Sequence, residues 1–340
     1  MIDIRGLTKE ELREALAIYG QKPYRAGQVF TWLHKRYVSS FDDMTDISKD
    51  LRNRLKEDYY IYRLREADVQ TSHKDGTKKF LFELQDGNLI ESVFMKYRSW
   101  NTVCISSQVG CDMGCRFCAS TVGGCVRGMT AGEMLDEVYT IEEKTKERVS
   151  GVVVMGSGEP LLVYNELIRF IKIITDESGK NISARNITVS TCGLVPQIKR
   201  LAEEKLQINL AISLHAPDDE KRKKIMPVAK KYPLDELIDA CRYYFEKTGR
   251  RVTFEYSLIS GINDGKEDAA KLSRLIKGLN CHVNLIPVNP VRENGFKPPD
   301  RRFAQAFKNA LENFGINVTI RRELGGDIDG ACGQLRRKHV

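Results

Sequence analysis

Three thiols fall within eight residues, Cys111, Cys115 and Cys118, at the spacing CxxxCxxC. A cubane iron-sulfur cluster has four irons to ligate, so a motif offering three thiolates leaves one iron open to an external ligand. That open iron is a place where chemistry can start. The bland alternative is a structural zinc knot, whose four ligands usually come as two CxxC or HxxxH pairs. No second pair is present. The five histidines are scattered at 34, 73, 215, 282 and 339, and Cys125 alone lies near enough in sequence to offer a fourth ligand. Spacing favours the cluster and leaves zinc open.

A second group follows at Met155-Gly156-Ser157-Gly158-Glu159-Pro160. Glycines in such a turn let a ligand approach the backbone closely, and the Glu159 carboxylate can accept hydrogen bonds from an ammonium group. A Gly-rich turn by itself is more often only a βα connection. The other thiols read as structural: Cys241 shares an apolar helix face with Leu237 and Phe245, Cys281 precedes a strand and Cys192 ends one. His215 reads as a ligand-contacting or structural side chain, since no second histidine is spaced to help it bind a metal.

These groups need elements to position them. Residues 1–66 read as helical, with the capping box Thr8-Lys9-Glu10-Glu11 opening an amphipathic run to Tyr19, helical apolar spacing over 24–38 and a third helix over 47–60. Strand-like runs at 79–84 and 89–95 flank Gln85-Asp86-Gly87-Asn88, a hairpin turn. From Thr102 short apolar strands alternate with helices. Strands are expected at 103–106, 152–155, 187–190, 208–214, 252–258 and 283–288, with a late one at 316–320. The first of these helices opens on the capping box Thr130-Ala131-Gly132-Glu133.

Repeated βα units imply a parallel sheet with right-handed crossovers, and six of them suit an α/β open partial (βα)6 barrel rather than a closed eightfold one. Working residues in such barrels sit at strand C-terminal ends. Those ends carry residues 111–118, 156–159, 190–192, 213–215 and Asn289. The expected division is a helical accessory domain over 1–66, a β-hairpin connector over 67–100, the barrel over 101–322, and a C-terminal loop and basic tail over 323–340.

At 340 residues, 41% apolar and 29% charged, the composition is that of an ordinary globular chain with two units. The apolar runs are too short to span a bilayer, and the first residues hold no apolar signal core, so a cytoplasmic protein with no membrane partner is expected. Nine cysteines in such a chain point to metal or redox chemistry rather than a disulfide framework. The formal charge of +8, with basic runs at Lys221-Arg222-Lys223-Lys224, Lys230-Lys231, Arg301-Arg302, Arg321-Arg322 and Arg336-Arg337-Lys338, suits a polyanion such as RNA. Solvated helix ends explain most such runs equally well.

The CxxxCxxC loop with Phe117 before its third cysteine, followed one βα unit later by a Gly-Glu turn, resembles the radical S-adenosylmethionine (SAM) superfamily. That resemblance implies a 4Fe-4S cluster on Cys111, Cys115 and Cys118, with the amino and carboxylate groups of SAM chelating the open iron. It also implies Phe117 beside the adenine, and contacts to SAM from Gly158, Glu159, Ser190, Ser213, Leu214, His215 and Asn289. Over nearly the full length, further motifs resemble the RlmN branch of the RlmN/Cfr RNA methyltransferases. They are Ile90-Glu91-Ser92-Val93, residues 104–111, Phe117-Cys118-Ala119-Ser120-Thr121, Gly158-Glu159-Pro160-Leu161, Ser213-Leu214-His215 and residues 327–335.

The branch implies methylation of C2 of an adenine in the peptidyl-transferase region of 23S rRNA and of one next to the tRNA anticodon. It implies Cys332 as the methylated cysteine, Cys104 as its disulfide partner, Glu91 as proton acceptor, and two SAM per turnover. An electron donor such as flavodoxin or ferredoxin and a monomeric state belong to the same expectation. Without that resemblance Cys104 would pass as a small buried thiol, Cys332 as a surface loop cysteine and Glu91 as a strand carboxylate facing water. A C8 methyltransferase of the Cfr type shares every catalytic cysteine, but tends to have alanine where Pro160 follows the Gly-Glu pair. The reading from another class is a non-catalytic, zinc-bearing RNA-binding protein.

Overall fold

The computed structural model describes residues 1–289, 295–328 and 335–336. Cys332, the expected methyl carrier, lies outside the described residues.

The chain opens with β1 (Ile2–Asp3), α1 (Lys9–Ile18), α2 (Tyr24–His34), α3 (Lys49–Asp58) and β2 (Tyr59–Tyr60). At Thr8 the expected capping box forms: its hydroxyl accepts the Glu11 N–H at 3.2 Å while the Glu11 carboxylate takes the Thr8 N–H at 2.8 Å. Leu12, Leu16, Val29, Phe30, Leu33, Leu51 and Leu55 recur at helical spacing and are buried together. Two helix ends differ from the apolar periodicity. Helix α2 stops at His34, and Tyr37 just beyond it takes a left-handed backbone with φ 53°. Helix α3 stops at Asp58, because Tyr59 and Tyr60 pair in parallel with Ile2 and Asp3.

The rest of the chain builds one large sheet from β3 (Arg65–Thr71), β4 (Lys78–Glu83), β5 (Leu89–Lys96), β6 (Asn101–Ile105), β9 (Gly151–Val154), β10 (Ile187–Thr191), β11 (Asn209–Ser213), β12 (Val252–Leu258), β13 (Cys281–Pro287) and β14 (Val318–Ile320). A two-stranded ribbon, β7 (Gln108–Gly110) and β8 (Cys125–Gly128), sits between β6 and β9 in sequence. The sheet runs β14-β13-β12-β11-β10-β9-β6-β5-β4-β3. From β6 to β14 every pairing is parallel; from β6 to β3 every pairing is antiparallel.

Helices α4 (Ala131–Thr145), α5 (Tyr164–Thr175), α6 (Val195–Glu203), α7 (Asp219–Ile225) with α8 (Leu234–Thr248), α9 (Lys266–Leu275) and α10 (Arg301–Asn313) supply the crossovers. Six βα units and a final strand therefore form an open (βα)6 barrel. The expected hairpin is two strands of a three-stranded meander fused to the barrel's first strand. Its outer strand, β3, escaped the sequence because Arg65, Glu66 and Asp68 leave no apolar alternation to read.

The register sorts each strand's residues into two faces. Val152, Val154, Ile187, Val189, Leu210, Ile212, Phe254, Tyr256, Val283 and Leu285 turn to the helices and are fully buried or nearly so. Their neighbours Thr102, Cys104, Thr188, Ser190, Asn209, Ser213, Thr253, Glu255 and Asn284 turn inward. The lumen is thus largely polar, with Val153 and Ala211 as apolar members of the same face, and a cavity of about 840 Å³ opens into it. A filled barrel core would reverse that polarity.

Candidate active site

The cysteine loop is held in the mouth of the ribbon. Gly110, at φ +81°, lies so close to the Gly124 carbonyl that an added Cβ would collide with it, and Cys111 N donates to Gly124 O at 3.0 Å. Cys118 N donates to Cys115 O at 3.0 Å, and the Thr121 hydroxyl donates to Cys118 O at 2.9 Å. These bonds fold the loop so that Cys111 and Cys115 are buried and Cys118 is half-buried. Burial pushes the Cys111 thiol up to about 11 and Cys115 well above its ordinary value; the neighbouring thiols of the trio add to both.

Three thiols in mutual electrostatic range, with Cys111 and Cys115 costly to ionise alone, suit a cationic iron centre that holds them as thiolates. No three His, Cys, Asp or Glu side chains among the described residues meet around a single metal ion. A cubane asks for something else, since each thiolate binds an iron at its own corner. Cys125, across the ribbon from Gly110, donates its N–H to Asp112 at 2.6 Å and is half-buried.

Cys104 is buried on the lumen face of β6, paired in register with Val93 and Val153. Glu91 lies two residues before Val93 and so shares that face. Its carboxylate does not face water. It is buried, 3.1 Å from the Nζ of the fully buried Lys79, and it accepts the Arg336 N–H at 2.5 Å. The C-terminal segment therefore reaches Glu91 four residues beyond Cys332. The Ser106 hydroxyl donates to Glu91 O at 2.8 Å, and its backbone N–H donates to Glu137, so the carboxylate's strand is fixed from behind.

In the Gly-rich turn, Gly158 has φ +104° and an added Cβ would come within 2.6 Å of Gln108 Cβ, so only glycine fits. The Glu159 carboxylate, expected to receive an ammonium group, is occupied instead. Leu161 N donates to Oε1 at 3.0 Å and Cys192 N to Oε2 at 2.7 Å. It ties the end of β9 to the end of β10, and a ligand is left the backbone of the turn. Burial pushes this carboxyl up, against the pull of those N–H donors.

His215 follows β11 with a left-handed backbone, φ 56°, and its ring meets Phe117 edge to face at 4.7 Å. Ser257 N donates to His215 Nδ1 at 2.9 Å, so the neutral ring carries its proton on Nε2. Burial, with help from the charge of Arg222, pushes this histidine down to about 3. Asn263, which the sequence did not single out, holds the backbone through His215 O at 2.8 Å.

Ser190 and Ser213 are half-buried and turn into the lumen, and Asn289 is exposed two residues past β13. Leu214 is fully buried; its N–H donates to Glu255 O and its carbonyl accepts from Arg222, so it supports its neighbours rather than offering a group of its own. Arg222 is the main surprise, because its basic run reads as solvated and yet its side chain is fully buried. The signal was Ile225 and Met226, three and four residues on, which put position 222 on the inward helix face.

Residues 2–61 match the model of the ribosomal RNA large subunit methyltransferase N-terminal domain, and residues 105–273 match the radical SAM superfamily. The chain is 58% identical to a probable dual-specificity RNA methyltransferase RlmN of Lachnospira eligens, over all of this chain and 97% of that one. It is 55% identical to a protein of the same description from Lachnoclostridium phytofermentans, over all of this chain and 95% of that one. The crystal structure of a radical SAM methyltransferase from Sphaerobacter thermophilus superposes with a TM-score of 0.91 at 44% identity, covering 98% of this chain and 99% of that one.

Proposed function

The chain belongs to the RlmN family of radical SAM RNA methyltransferases, and from that premise we propose that it methylates C2 of adenine in 23S rRNA and tRNA through a methylated cysteine and a transient disulfide. The target adenines are the one in the peptidyl-transferase region and the one beside the anticodon. The observation that carries the reading is the shared lumen face of Cys104 and Glu91, with Arg336, four residues past Cys332, bonded to that same glutamate.

C2 of adenine lies between two ring nitrogens and is electron-poor, so polar methyl transfer has no nucleophile to use, whereas a carbon radical can add there. When bound, a 4Fe-4S cluster on Cys111, Cys115 and Cys118 together with SAM would supply that radical chemistry and an electrophilic methyl group. The turns and strand ends at Gly158, Glu159, Ser190, Ser213, His215 and Asn289, with Phe117, form the SAM cradle, and Leu214 braces it from behind. Neutral His215 can donate there from Nε2 without adding charge.

Cys332 takes the methyl as a thiolate, its S–C bond forming as the sulfonium C–S bond breaks. Once a hydrogen has been removed from that methyl, its carbon bonds to C2 and links the RNA to the protein. Glu91 accepts the proton that C2 loses as the adduct gives up its unpaired electron to the one-electron acceptor the cluster would supply, and Lys79 holds the carboxylate in the lumen for it. The Cys104 thiolate then attacks the Cys332 sulfur: the S–S bond forms as the S–C bond breaks, and the released carbon takes up a proton to complete the product methyl. The scheme consumes two SAM per turnover, draws from a flavodoxin- or ferredoxin-class donor the electron that starts the radical step and the two that reduce the Cys104–Cys332 disulfide before the next turnover, and uses the helical module of residues 1–66 to contact RNA.

The test is reaction of both RNAs with methyl-labelled SAM, followed by nuclease digestion and mass spectrometry with authentic standards. Labelled 2-methyladenosine from each RNA is the expected product. Labelled 8-methyladenosine would overturn the choice of carbon, and label in one RNA alone would overturn dual specificity.

A further inference from the structure

Arg222 is buried without a carboxylate. Its Nη2 donates to Cys192 O at 2.7 Å and Ser213 O at 3.2 Å, its Nε to Leu214 O at 3.1 Å, and its Nη1 lies 3.5 Å from Tyr232 O. All four partners are neutral carbonyls. On the same short helix Lys221 pairs with Asp268 and Lys224 with Glu220, whereas Arg222 makes no ion pair among the described residues. Asp219, whose charge reaches it, spends an oxygen on the Leu234 N–H at 3.1 Å. A guanidinium taken wholly out of water is costly unless opposite charge compensates it. Carbonyl dipoles orient the fork and supply no net charge.

The helix that carries this cation is seated on the cysteine loop. Arg116 N, between Cys115 and Cys118, donates to Ile225 O at 2.9 Å, and a Cβ at Gly114 would sit 3.3 Å from Pro227 Cγ. The charge of Arg222 is also felt at the Cys115 and Cys192 thiols, where it favours the thiolate. Given a 4Fe-4S cluster on the three cysteines, the reading on which this inference rests, three thiolates leave the centre negative when oxidised and more negative when reduced.

We propose that Arg222 is the buried counter-charge of the cluster, a positioning residue that also raises its reduction potential by stabilising the more negative reduced state. The carbonyl staple from Cys192, Ser213 and Leu214 fixes where that charge sits. The residue touches neither substrate nor reacting atoms in this role. It acts on the ease with which the centre accepts its electron.

The experiment is anaerobic reconstitution of the full chain and its variants, with iron and sulfide content measured first and the cluster's midpoint potential second. Arg222→Gln removes the charge, Arg222→Lys keeps it, and Lys224→Gln removes an exposed charge from the same helix. The expected result is a more negative potential in Arg222→Gln. The shift corresponds to at least a tenfold change in the reduction equilibrium, about 59 mV for one electron. Arg222→Lys and Lys224→Gln should each stay within about threefold of the parent, since the first keeps its charge and the second's is screened by water.

Should Arg222→Gln fail to hold a cluster while Arg222→Lys holds one near the parent potential, the charge requirement is equally supported. A loaded Arg222→Gln at the parent potential overturns the proposal. So does failure of both variants to load, because the guanidinium would then matter only as a staple for the strand ends. A parent chain that binds no iron and sulfide instead overturns the cluster reading, which separates the two failures.

Discussion

The five cysteines with proposed roles differ in what their positions allow. Cys104 sits on a central strand with its thiol turned into the lumen, paired to Val93 and Val153, and cannot travel. A resolving thiol in such a place must have its partner brought to it. Cys104→Ala should therefore let the reaction run to the RNA-protein link and stop there. A denaturing gel should show RNA bound covalently to protein, with peptide mass spectrometry locating it at Cys332. Retained turnover with no adduct would remove Cys104 from the scheme.

At this scale the sequence was legible where spacing encodes function. CxxxCxxC needs no fold to be recognised, whereas the exposure of Glu91, the occupied carboxylate of Glu159 and the burial of Arg222 are set by residues far away in the chain. Lys79, Cys192 and Ser213 become neighbours of these groups only once the sheet is assembled.

Among the elements, the βα rhythm could be read because the helix-facing residues of β9 to β13 form apolar alternations, and the capping boxes at Thr8 and Thr130 mark their helices. The ribbon β7–β8 could not, since three- and four-residue strands leave no period to detect. Nor could the role of the turn between β3 and β4. Ser72 Oγ donates to Asp327 Oδ1 at 2.6 Å, His73 N to Asp327 Oδ2 at 2.9 Å, and Gly325 N to Asp75 Oδ2 at 2.9 Å. The C-terminal segment is thus tied to the meander five residues before Cys332, and to Glu91 four residues after it. Asp327→Ala removes two of these ties without touching the cysteine loop. Hydrogen exchange over residues 323–328 should rise several-fold, on the order of what local opening of a surface segment gives, and methylation should slow while the cluster absorbance is unchanged. Unaltered exchange would show that the turn does not restrain the segment.

For the molecule as a whole, the question is how a helical module and an open barrel are kept in one geometry. Asp3 at their junction accepts N–H bonds from Arg5 and Tyr62 through Oδ1, both at 3.1 Å, while Oδ2 is enclosed without a partner among the described residues. Burial lifts its carboxyl from 3.8 to about 6. Because the folded value lies above the unfolded one, the folded state holds this proton more tightly. The penalty is absent below about pH 4, grows as pH rises toward 6, and is constant above that. Asp3→Asn should gain about 1–3 kcal/mol over the parent at pH 7.5 relative to any gain at pH 4, by urea unfolding. An equal difference at both pH values would sink this reading.

The stronger tie at the same junction is Arg5 with Asp136 of α4. Both side chains are fully buried, and their ion pair links the module to the first helix of the barrel. Arg5 also donates to Tyr62 O and Val38 O, each at 2.9 Å, and Asp136 accepts the Leu64 N–H at 2.6 Å. A buried pair of this kind is weak evidence for net stability, because both charges were taken out of water. Breaking one side is another matter, since it strands the other charge, at about 3–5 kcal/mol. Asp136→Ala should therefore destabilise the chain by that amount in denaturant unfolding. Arg5→Met combined with Asp136→Leu should cost less than Asp136→Ala alone, because no charge is left uncompensated and the volume is kept. If the double variant is the worse of the two, the junction depends on the backbone bonds these side chains make to residues 38, 62 and 64, and not on their charges. The pair would then be a connector that sets the angle between module and barrel, with its ionic character incidental.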